Sequence, residues 1–82
     1  MLKDVTIKIA EIYVPAGLAK ELDPARVEEL AGEMLEEGAE KPLQVREGKG
    51  RYVLVKGVHR LAAHKALGDD TVQAFIVAAR QH

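Results

Sequence analysis

Val5, Ile7 and Ile9 alternate with Thr6, Lys8 and Ala10, the period of two that marks a strand with one buried face. Tyr13 to Leu22 has no period, and Pro15 and Gly17 interrupt it, so it reads as irregular. Asp23-Pro24 then announces a helix, with a side-chain acceptor at the cap followed by the residue best tolerated at the first helical position. Behind it Val27, Leu30, Ala31, Met34 and Leu35 recur at steps of three and four to form one apolar stripe, and Glu28, Glu29, Glu33, Glu36 and Glu37 fill much of the rest. Gly38 is expected to end this helix through a left-handed cap.

Pro42 to Arg46 is short and strand-like, Glu47-Gly48-Lys49-Gly50 supplies turn residues, and Arg51 to Val55 resumes strand character. A hairpin follows, although a turn of this length selects no single register. Beyond Gly57 a second helix is predicted from Val58 to Leu67 with Gly68 as its stop, and Thr71 to Val77 closes as a last strand. The order β-α-β-β-α-β predicts an α+β (α/β) fold in which two helices lie on a small four-stranded mixed sheet, with residues 1–82 forming one domain.

At 82 residues there is room for one modest core. Tyr13, Tyr52 and Phe75 are the only aromatics, so that core must be built from Val, Ile, Leu and Ala. The absence of cysteine removes disulfides, thiolate nucleophiles and Cys-ligated zinc. No apolar run approaches the ~20 residues of a membrane span, and Met1-Leu2-Lys3-Asp4 leads into a strand pattern and not a signal peptide, so a soluble, cytoplasmic protein is expected. The net charge is −1, but residues 1–41 carry five Lys/Arg against ten Asp/Glu and residues 42–82 carry seven against three. The basic half is a candidate nucleic-acid surface, with solvated side chains as the plainer reading; strong non-specific DNA binding needs many phosphates neutralised at once.

The chemistry concentrates at Lys56-Gly57-Val58-His59-Arg60, where a strand turns through glycine into a helix. A helix N-terminus presents unpaired backbone N–H groups and partial positive charge, so Arg60 and His59 placed there mark an anion site, with phosphate the expected ligand. Arg60 offers bidentate donors that lysine lacks; its other reading is a partner for the acidic first helix. His59 would donate to an oxyanion, as a neutral or charged imidazole, or else be a buried histidine bonded to a backbone carbonyl. Gly57 serves the turn and the ligand by the same property, close backbone approach. His64 shares the helix face of Arg60 and is read either as helping to orient the site or, more simply, as a half-exposed surface histidine.

Asp23-Pro24-Ala25-Arg26-Val27, then Gly38 with Lys41-Pro42-Leu43, then Gly57-Val58-His59-Arg60-Leu61-Ala62-Ala63 with Leu67-Gly68, resembles in order and spacing the ParB/sulfiredoxin-like superfamily. The resemblance covers residues 5–77 and implies that nucleotide phosphates sit at the start of the second helix. The matching motif is Gly-Cys-His-Arg in sulfiredoxins, Gly-Glu-Arg-Arg in ParB partition proteins and Asp-Gly-His-His-Arg in free serine kinases. The sulfiredoxin cysteine falls on Val58, which has no nucleophile, so the resemblance does not extend to sulfiredoxin activity. The aspartate and first histidine of the kinase motif fall on Lys56 and Val58, and the glutamate and first arginine of the ParB motif on Val58 and His59, so nucleotide hydrolysis or phosphotransfer is not implied directly.

Arg26 stands where sulfiredoxins carry a phosphate-contacting lysine. A cation in the first turn of a helix costs about a few tenths of a kcal/mol against the helix dipole. It is read either as a second phosphate contact or as a surface salt bridge to Glu29 or Glu33. Lys41 and Lys56 complete the candidate set as cations beside glycine corners, and Glu21 stands near the place of the kinases' general base. No metal-ligand spacing occurs; a magnesium ion borne by a nucleoside triphosphate or diphosphate would need few protein ligands.

The function expected is thus a nucleotide- or phosphate-binding ParB-like domain linked to plasmid or chromosome partition or related regulation, with DNA or a partition-complex protein as further partners. The DNA-reading and dimerisation segments of ParB proteins are expected to be missing from these 82 residues. Two other classes remain: a DNA-binding or nuclease-like module using the basic half, and a homodimeric regulatory remnant without ligand. The mark of the remnant would be a leftover apolar patch at Tyr13, Val14 and Leu18.

Overall fold

A computed structural model describes residues 4–38 and 41–77. The element order is β1 (Asp4–Lys8), a 3-10 turn (Ile9–Glu11), β2 (Ile12–Tyr13), α1 (Ala16–Ala19), α2 (Pro24–Glu37), β3 (Leu43–Glu47), β4 (Tyr52–Lys56), α3 (Val58–Ala66) and β5 (Thr71–Ile76). The sheet is mixed and five-stranded, in the order β1-β5-β3-β4-β2. Antiparallel pairs β1–β5 and β3–β4 alternate with parallel pairs β3–β5 and β2–β4.

The α+β class is as expected, and the long strands and helices end within a residue or so of their predicted limits, but the counts of four strands and two helices need correction. The fifth strand is β2, two residues whose sheet partners among the described residues are Tyr52 and Val53 on β4, more than thirty residues downstream in the chain. The third helix is the single turn α1, which starts behind Pro15 and tolerates Gly17. Ile9, expected to continue β1, lies in the 3-10 turn, where its N–H donates to the Asp70 carbonyl at 2.9 Å.

The main core lies under the sheet and joins Ile7, Ile12, Leu43, Val45, Leu54, Val72 and Ala74 to Val58 and Leu61 of α3. Leu43, Val45, Leu54 and Leu61 are its most completely buried side chains. Each such side chain contributes on the order of 1.5–3 kcal/mol, so α3 is seated by apolar burial. A second cluster, Leu30, Met34 and Ala63, packs α2 onto α3. Val14 and Leu18 pack against the main core, so the apolar patch expected at Tyr13, Val14 and Leu18 does not form. Tyr13 remains 44% exposed and is covered by Arg51, whose guanidinium sits 4.1 Å from the ring centroid. Leu35, counted in the buried stripe of α2, is 74% exposed, because α3 meets only the narrower face of Val27, Leu30, Ala31 and Met34.

The hairpin register is Glu47 with Tyr52, Arg46 with Val53 and Val45 with Leu54, and then Gln44 with Lys56. The extra residue on β4 is Val55, a bulge immediately before the glycine corner. No helix among the described residues is long and apolar enough to cross a membrane.

Candidate functional site

Gly57 is the N-cap of α3 with φ +107° and ψ 32°. A Cβ there would fall 2.8 Å from Leu43 Cδ2, so glycine is required both by the backbone and by the close passage of β3. The first bond inside the helix runs from the Leu61 N–H to the Gly57 carbonyl at 2.9 Å, which leaves the N–H groups of Val58, His59 and Arg60 ahead of it. Among the described residues no side chain caps them. At α2, by contrast, the Asp23 carboxylate accepts from the Ala25 N–H at 3.0 Å.

These groups open onto a cleft of about 410 Å³ lined by Leu18, Glu21, Arg26, Leu30, Val55, Lys56, Gly57, Val58, His59 and Arg60. Six of the seven sequence candidates are therefore brought together: Gly57, Val58, His59, Arg60, Arg26 and Lys56. Lys41 is not among them; it lines a neighbouring cleft with Glu33, Met34, Glu37 and Gly38, and Arg60 borders both. Val58 is buried in the main core, so its contribution to the cleft is its backbone. The apolar wall of Leu18, Leu30 and Val55 was not foreseen as part of the site. Leu30 had been legible as a core residue, but nothing in the sequence marks the bulge that turns Val55 outward.

The polar side chains differ in what they already hold. Arg26 is ion-paired with Glu29, one of the two carboxylates expected for it. Arg60 is half-buried, and among the described residues neither it nor Lys56 has a carboxylate partner. The bond that His59 makes is not the one to a backbone carbonyl: its Nε2 accepts the backbone N–H of Asp23 at 3.0 Å. His64, expected at the surface, is 6% exposed and pairs through Nδ1 with Asp69 Oδ2 at 2.8 Å. Gly38 ends α2 with φ +88° but ψ 156°, a positive φ with an extended ψ, and so differs from the left-handed cap expected. Among the described residues no group of three or more His, Asp or Glu is placed to hold a metal ion.

The family model of the ParB N-terminal domain matches residues 3–82. The chain belongs to the ParB N-terminal domain family. Among solved structures, this ParB N-terminal domain is similar to sulfiredoxin from Arabidopsis thaliana, with a TM-score of 0.81, 28% identity and coverage of 94% of this chain and 86% of that one. It is also similar to the C-terminally truncated chromosome-partitioning protein ParB from Caulobacter crescentus complexed with CTP-gamma-S (TM-score 0.77, 21% identity, 98% of this chain and 46% of that one). A free serine kinase in complex with ADP gives a TM-score of 0.78 at 23% identity, over 90% of this chain and 30% of the kinase. At such identities the last two show a common fold, and the chain spans less than half of either protein. No curated protein matches the chain by sequence.

Proposed function

We propose that the cleft at the head of α3 binds a nucleotide through its phosphates. The observation that carries this reading is the N-terminus of α3, whose first three N–H groups have no cap among the described residues, opening onto the same cleft as Arg60, Lys56 and Arg26. In this reading Arg60 is the principal phosphate ligand, because it is partly desolvated and has no carboxylate partner among the described residues. The N–H groups of Val58 to Arg60 cradle the same phosphate, Lys56 and Arg26 add charge at its rim, and the base and sugar lie toward Leu18, Leu30 and Val55. Lys41 reaches the phosphates only across Arg60, from the adjacent cleft. A magnesium ion would arrive on the phosphates of a nucleoside triphosphate or diphosphate, and among the described residues Glu21 is the carboxylate lining the cleft to meet it.

Ligands of family-fold proteins, CTP-gamma-S in ParB and ADP in a serine kinase, support the choice of nucleotide. Membership in the ParB N-terminal domain family supports a setting in plasmid or chromosome partition. The test is thermal melting with CTP, GTP, ATP and ADP, each with and without magnesium. Ligand at ten times its Kd adds about 1.4 kcal/mol, or roughly 6–11 °C for a domain of this size. Arg60→Ala should abolish that shift while leaving the unliganded melting point nearly unchanged. No shift with any nucleotide at about 1 mM sinks the reading.

A further inference from the structure

Asp23, Pro24, Ala25 and Arg26 are the N-cap and first three residues of α2. In a capping box the third helical residue is Glu or Gln, and its side chain accepts the N–H of the cap residue. Here that position holds Arg26, which carries donors only. The Asp23 N–H thus lacks the usual local acceptor, and the atom that receives it belongs to α3: Nε2 of His59, 36 residues along the chain, at 3.0 Å. Because a backbone N–H can only donate, Nε2 carries no proton and the ring proton sits on Nδ1. The accepting residue, His59, lines the cleft that Arg26 and Arg60 also line.

We propose that His59 is a positioning residue: it supplies from α3 the acceptor that the cap of α2 lacks, and so holds Arg26 over the same cleft as Arg60. Arg26 and His59 form one device in two segments. Arginine replaces the residue that would close the cap, which places a positive charge at the cleft, and histidine closes the cap from across it. With Nε2 occupied, His59 does not offer that nitrogen to a phosphate. Its role is to set the spacing between the first turns of α2 and α3, on which a ligand touching both would depend. Only the ligand part of this proposal rests on the nucleotide reading.

Two readouts need no ligand. Nitrogen NMR of the unliganded protein should find the His59 ring protonated on Nδ1 with Nε2 as acceptor; a proton on Nε2 overturns the proposal. A stability cycle follows. His59→Phe, which keeps a planar ring without an acceptor, should lower the melting point by ~5 °C. In an Arg26→Glu background, where glutamate restores a local acceptor, the same change should cost less than ~2 °C. Equal shifts in the two backgrounds overturn the pairing. With CTP and ADP as probes, His59→Phe should weaken binding about fivefold, and adding Arg26→Ala should weaken it little further; fully additive losses overturn the positioning role. Absence of nucleotide binding would count against the proposed function alone, since the tautomer and the stability cycle decide the Arg26–His59 device independently.

Discussion

At the N-terminal end of α3, Gly57 has φ +107° and His59 reaches out to the cap of another helix; at the C-terminal end, Gly68 has φ +81° and His64 turns inward to Asp69. The C-terminal end is closed locally. The Asp69 N–H donates to the His64 carbonyl at 3.0 Å and the Gly68 N–H to the Lys65 carbonyl at 3.1 Å, the paired bonds of a Schellman motif, and the Asp69 carboxylate holds the buried imidazole above them. The N-terminal end has no side-chain cap among the described residues. One end of the helix uses its polar groups on itself, and the other leaves them for something outside. That contrast, more than the mere presence of cations, separates a helix end closed on itself from the one proposed to hold a ligand.

The sharpest way to break the comparison is at the two glycines. Gly57→Ala meets both a positive φ and Leu43 Cδ2 at 2.8 Å, whereas a Cβ at Gly68 has open space around it. The first should destabilise by about 3 kcal/mol and the second by about 1 kcal/mol, as read from urea midpoints. Equal losses would show that close packing of β3 against the corner does not matter. Next in size is Asp69→Ala, which leaves a buried imidazole nitrogen without its partner and should cost on the order of 1–2 kcal/mol. It should leave nucleotide affinity unaltered in isothermal titration; a parallel fall in affinity would mean that the two ends are not independent. The smallest effect is expected from Glu29→Gln. Glu29 competes with any phosphate for Arg26 through an exposed ion pair, so its neutralisation should tighten binding about twofold with little change in stability. Unchanged or weaker binding would place Arg26 outside the contact set.

Much of this was legible along the chain. Asp23-Pro24 announced the start of α2, and the strand-glycine-helix corner announced the cleft, because caps and corners are made by residues adjacent in sequence. What escaped has a common cause. The strand β2 is two residues long and exists only through Tyr52 and Val53; Val55 is turned outward by a register shift against Gln44; and Leu35 is exposed because α3 covers too little of α2. His64 gave no local hint of burial, since its partner Asp69 lies past the helix stop.

The candidate site divides in the same way. Residues 56–60 could be chosen from sequence because one turn of chain carries the N–H groups and the cations together. Which distant residues join them was decided by folding: Arg26 and Glu21 enter the cleft, and Lys41 falls into the one beside it. His59 shows the limit most plainly. By itself the sequence determined that a histidine stands in the first turn of α3, two residues after a glycine at the strand-to-helix corner. Only the tertiary structure decided that its lone pair faces the Asp23 N–H, because hydrogen-bond partners far apart in the chain are chosen by the packing of α2 on α3 and not by local propensity.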